Sequence, residues 1–146
     1  MVYFILLSLL AGMAVVTQAN INAYVGTLLS SSVVATLIAL ILSTSVVFIA
    51  SLLYVKQLPS FETIKIIPLY LWLSIGLLGA FALGTFYYVI PKIGILSMIS
   101  YSLCGQLIIS MVFSHFGWLN MPVSTITLSK ILGIISMMIG IFLINK

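Results

Sequence analysis

The sequence predicts an all-α, polytopic integral membrane protein with five transmembrane helices. Three observations predict it. The chain has a single acidic residue, Glu62, with five lysines and no arginine. Hydrophobic residues make up 64% of its 146 positions and charged residues 4%, where a soluble domain needs roughly a quarter of its residues charged. The apolar residues also fall into five blocks, each long enough for the ~20-residue requirement of a bilayer-spanning helix. Five such helices use nearly the whole chain, so residues 1–146 read as a single transmembrane domain.

The first block runs from about Val2 to Ala23, and polar Gln18, Asn20 and Asn22 crowd its end. It lacks the positive n-region of a secretory signal peptide, so it reads as an uncleaved first helix. The second, about 27–55, is longer than the hydrocarbon requires and should tilt or extend into the interface. The segment Lys56 to Ile67 holds two lysines, the one glutamate and Pro59, and reads as a solvated loop. The third block spans about 68–90. Pro68 suits the first helical turn, where its missing N–H costs nothing. Tyr70 and Trp72 mark one membrane interface and Tyr87 and Tyr88 the other, because amphipathic rings prefer that depth. Pro91 and Lys92 then form a short turn. The fourth block covers about 93–114, a loop follows from His115 to Pro122, and the fifth block covers about 125–144.

Five spans place the termini on opposite sides. Lys56, Lys65 and Lys130 then fall on the N-terminal side and Lys92 and Lys146 on the other. This is a weak positive-inside bias that permits insertion in both orientations. The charges are few and scattered and make no nucleic-acid footprint.

Helices in lipid associate through close packing of small residues and hydrogen bonds, not the hydrophobic effect. Ser31, Ala35, Ala39 and Ser43 recur every four residues on the second helix. Gly76, Ala80 and Gly84 do so on the third with Gly79 beside them, and Ser129/Gly133 and Ser136/Gly140 pair on the fifth. These stripes predict helix packing. On the fourth helix Ser102, Gln106, Ser110 and Ser114 share one face. An unpaired carboxamide in hydrocarbon costs on the order of 4–8 kcal/mol, so Gln106 requires either an interhelical partner or a polar cavity. Gln18 and Asn22 also share a face, which reads as helix termination or as a polar vestibule.

No metal-ligand cluster, nucleophile–base pair or phosphate loop is present, so neither an enzyme nor a cofactor is expected. No helix centre carries an ionisable group of the kind that marks ion pathways. Lone His115 reads as an interfacial structural residue and Cys104 as a small packing residue.

The run Gly105-Gln106-Leu107-Ile108-Ile109-Ser110, followed by Ser114-His115-Phe116-Gly117-Trp118, resembles the "GQ…DHFG" stretch of YdcZ-type inner-membrane proteins of the drug/metabolite transporter superfamily. Gly12 with Gln18-Ala19-Asn20-Ile21-Asn22-Ala23 is similar to that family's first-helix pattern. Gly76 and Gly79, the Ile90-Pro91-Lys92-Ile93-Gly94 turn and Leu128-Ser129-Lys130-Ile131-Leu132-Gly133 agree in order. Ser114 stands where the family usually has an acid, and Leu40-Ile41-Leu42-Ser43 replaces a Phe-x-x-Gly pattern.

The resemblance implies one five-helix half of a ten-helix inverted-repeat transporter in a prokaryotic cytoplasmic membrane. Such a chain would pair with an antiparallel second copy or a homologous half. Its midplane cavity would be lined by Gln106, Ser102 and Ser110, with Gln18 and Asn22 as further candidates, and would move a small organic metabolite or amphiphile. The alternative is a non-transporting accessory or scaffold subunit.

Overall fold

In the computed structural model, residues 2–55, 59–120 and 122–146 are described. Lys56, one of the lysines counted toward topology, lies outside them. The described residues form six α-helices and one 3-10 turn, with no strand: α1 (Val2–Leu28), α2 (Ser32–Tyr54), α3 (Phe61–Ile66), α4 (Leu69–Ile93), α5 (Ile95–Phe116), the turn Trp118–Asn120 and α6 (Leu128–Ile144). Helices α1, α2, α4 and α5 are long and apolar enough to cross a bilayer. The chain divides into two compact units, Met1–Lys92 and Ile93–Lys146.

The long second block divides differently from the 27–55 expected. Thr27 and Leu28 close α1, and α2 has 23 residues. The break is local chemistry. Ser30 takes a left-handed φ of 52°, and the Ser31 hydroxyl accepts from the Val34 N–H at 3.3 Å. Serine favours such caps because its short side chain competes for backbone groups.

The 56–67 segment, expected to be a loop, contains the six-residue helix α3. Ser60 caps it by accepting from the Thr63 N–H. Glu62 in its first turn and Lys65 in its last complement the helix dipole.

Pro91 is not in a turn. It sits in the last turn of α4, where its missing N–H removes one late helical bond without ending the helix. The break falls at Gly94, with φ 83° and ψ 156°, a region almost exclusive to glycine. Gly94→Ala should therefore destabilise the protein by about 1–3 kcal/mol, readable as a lowered thermal midpoint in detergent. An unchanged midpoint would show that the backbone there relaxes freely.

Helix α5 runs two residues past the expected end, so His115 and Phe116 are helical. Gly117 in the left-handed region (φ 61°) closes it, its N–H bonding the Phe113 carbonyl. Helix α6 starts later than expected, at Leu128, capped by Thr127. Its 17 residues span about 25 Å, short of the ~30 Å hydrocarbon core.

Hydroxyls within the apolar helices satisfy themselves locally. Ser8, Thr17, Thr36, Ser45 and Ser74 each donate to the carbonyl four residues back at 2.7–2.9 Å. This lets polar residues sit in lipid-facing helices without an unpaired donor.

Candidate functional site

In the first unit the packed core is built mainly from small residues. Ala19, Ala23 and Gly26 of α1 are buried, as are Ala35, Thr36 and Ala39 of α2. A Cβ at Gly26 would meet Ala35 Cβ at 3.5 Å, which shows how closely the two helices approach. The C-terminal half of α4 joins them. Tyr87, 1% exposed, is the largest fully buried side chain. Asn22 Nδ2 donates to Tyr87 Oη at 3.0 Å. A Cβ at Gly84 would lie 3.6 Å from Thr36 Oγ1.

Asn22 is thus half-buried in a defined contact, whereas Gln18, one turn earlier, is exposed. The structure does not join these two candidates into one polar group. Tyr87 is a positioned partner that interfacial placement alone did not identify.

In the second unit Gln106 Nε2 donates to Ser102 Oγ at 3.0 Å. The bond lies within α5, between consecutive turns. A carboxamide offers two donors and an acceptor, so this contact leaves most of its capacity open. Gln106 is exposed within its own unit. Further along the same face, Ser110 and Ser114 line an open cavity of about 380 Å³ between α5 and α6. At its loop end it is lined by Ser124 and Lys130, and further along the two helices by Leu107, Met111, Ile134 and Met137. The Ser124 N–H donates to the Ser114 carbonyl at 2.8 Å, which ties the connecting loop to the end of α5. Lys130 Nζ donates to Ser124 Oγ and to the Thr125 carbonyl, both at 2.6 Å. Sequence reading treated Lys130 as a topology charge and as part of the last-helix run, not as a cavity residue. Its place beside Ser114 depends on that loop closure.

The glycine faces are open. Within their own units, Gly76, Gly79, Gly133 and Gly140 have no heavy atom within 4 Å of an added Cβ, and Gly84 alone of the expected glycines meets a neighbour. Ala80 is likewise exposed. Phe113, Phe116 and Trp118 cluster at the end of α5, with ring centroids 5.3 and 6.2 Å from Trp118. His115 stands edge-on to Phe116 at 5.1 Å. This is an aromatic anchor of the kind found at membrane interfaces. Among the described residues no group of three or more His, Cys, Asp or Glu side chains gathers to hold a metal.

A family model described as "Putative inner membrane exporter, YdcZ" matches residues 3–143. No curated protein and no solved structure gives a match. The family match extends from α1 through α6, and the family description points to transport rather than catalysis. Four bilayer-length apolar helices and the shorter apolar α6 supply the matching architecture. The chain therefore belongs to the YdcZ family of the drug/metabolite transporter superfamily, as a multi-pass inner-membrane transporter.

Proposed function

We propose that the chain is one half of an exporter that works as a dimer by alternating access. It moves a small organic metabolite or amphiphile across the cytoplasmic membrane. The observation that carries this reading is the polar face of α5. Gln106 is exposed within its unit and, among the described residues, bonded only to Ser102. A carboxamide so placed in hydrocarbon is costly unless a second subunit or a substrate completes its hydrogen bonds. The glycine faces of α4 and α6, each uncovered within its own unit, support the same reading, because small residues allow two backbones to approach and slide.

In this arrangement Ser102, Gln106 and Ser110 line the shared cavity. The second half is an antiparallel copy of this chain or a homologous half-transporter. Gly76 and Gly79 supply a close sliding contact. Asn22 and Tyr87 hold α4 against α1, so that the first unit moves as a block.

Two measurements test the proposal. Gln106→Leu should lower efflux by about tenfold, the effect of losing one or two polar contacts, while the amount of protein in the membrane is unchanged. Equal loss of protein and efflux would assign Gln106 to packing. Reporters placed after Lys146, active on opposite sides of the membrane, should both give signal if two copies pair antiparallel. Signal from one side alone would require a partner subunit of opposite orientation.

A further inference from the structure

The cavity between α5 and α6 is graded along its length. Its loop end is polar, with Ser114 near the end of α5, Ser124 in the loop and Lys130 in the first turn of α6. One to two helical turns further in, it is lined by Met111 and Met137 among other apolar side chains. From Lys130 to Met137 the axial distance is about 10 Å. That accommodates an apolar chain of roughly eight carbons, and the volume lies within the range of small-molecule sites.

Charge decides the head group. Among the described residues, the two acceptors of Lys130 Nζ, Ser124 Oγ and the Thr125 carbonyl, are neutral. An ammonium carries three donors, so one remains for a ligand. The second unit carries no acidic side chain. Within this unit no acidic side chain among the described residues lines the cavity to balance Lys130 or to receive a cation. Among the described residues of this unit no aromatic ring lines it either, so they offer no cation–π route to an organic cation. The positive end of α6 adds to the same polarity.

We propose that this cavity binds an amphiphilic anion, with a carboxylate, sulfonate or phosphate-ester head at Lys130 and an apolar tail against Met111 and Met137. This is the substrate class of the exporter, and it rests on the transporter reading above. A resident anionic lipid is the competing occupant.

The test uses the full chain in phosphatidylcholine nanodiscs. The probe is octanoate carrying a diazirine near its tail, compared with an octyltrimethylammonium probe carrying the same group. Labelled peptides are mapped by mass spectrometry. The anionic probe should label the segments around Met111 and Met137, and octyl phosphate should compete. Lys130→Met should reduce labelling about tenfold, as loss of a charged hydrogen bond does, whereas Lys130→Arg should retain it. Gly133→Leu is a second variant. Its side chain enters open space, so the fold is kept while the cavity fills and labelling falls.

Equal labelling by the cationic probe, or full labelling of Lys130→Met, would overturn the proposal. Competition by phosphatidylglycerol but not by octyl phosphate would make this a lipid site and overturn the substrate assignment. Labelling is read at equilibrium without transport, so the two readings fail separately. Labelling without efflux in vesicles supports the site and removes the transporter. Efflux of other solutes without labelling removes the site alone.

Discussion

Tyr87→Ala is expected to destabilise the first unit by about 2–4 kcal/mol, the range for truncating a large buried side chain. In lipid the transfer component of that figure shrinks, because the side chain leaves one apolar surroundings for another. The packing component remains. Tyr87 is the largest fully buried side chain, on the half of α4 that meets α1 and α2. The buried residues of α1, Ala19, Ala23 and Gly26, have no long side chains with which to refill space in this unit's core. Tyr87→Phe separates the two contributions. It keeps the ring and removes the oxygen that accepts from Asn22, and buried hydrogen bonds between membrane helices are worth about 0.6–1.7 kcal/mol. The expected order of thermal midpoints in detergent is wild type, then Tyr87→Phe, then Tyr87→Ala well below. A double-mutant cycle with Asn22→Ala should return a coupling of about 1 kcal/mol. If Tyr87→Phe proved as damaging as Tyr87→Ala, the hydrogen bond and not the ring would hold α4 in place.

The membrane class was legible because lipid removes charge from a sequence over its whole length, a signal that no local event can hide. Five blocks and five long or apolar helices correspond for the same reason. Boundaries were less legible. The break before α2 depends on Ser30 adopting a left-handed conformation, and three consecutive serines signal it only when weighed above an unbroken apolar run. Pro91 signals a turn, but glycine at position 94 tolerates the needed backbone better, and the helix continues to reach it.

Side-chain partners were the least legible. Asn22 and Tyr87 are 65 residues apart, and each looks locally like an interfacial residue. Of the period-four stripe Ser31, Ala35, Ala39 and Ser43 on α2, Ala35 and Ala39 are buried, whereas Ser43 is exposed. Their counterpart on α1, Ala19–Ala23–Gly26, was obscured by the polar residues beside it. Lys130 reaches the loop end of the cavity through Ser124, whose backbone is tied to Ser114 across a loop. No periodic pattern encodes such a closure.

The contrast between covered and uncovered small residues gives the second large effect. Ala23 is buried at the α1–α2 contact, where the nearby Gly26 already brings the helices to van der Waals distance. Ala23→Leu adds three carbons with nowhere to go, and overpacking of this kind costs about 1–3 kcal/mol, occasionally more. It should lower the detergent midpoint and expose the α1–α2 loop to protease. Gly79→Leu makes a larger change in side-chain volume, yet within the unit it enters open space and replaces a poor helix former with a good one. Its midpoint should therefore be unchanged or raised. If the α4 glycine face is where two halves meet, the same substitution should abolish cross-linking between subunits and lower efflux together. A Gly79→Leu protein that stays folded, cross-links normally and transports normally would show that this face meets only lipid. The dimer contact would then have to be sought on α6, along Gly133 and Gly140, which are equally open.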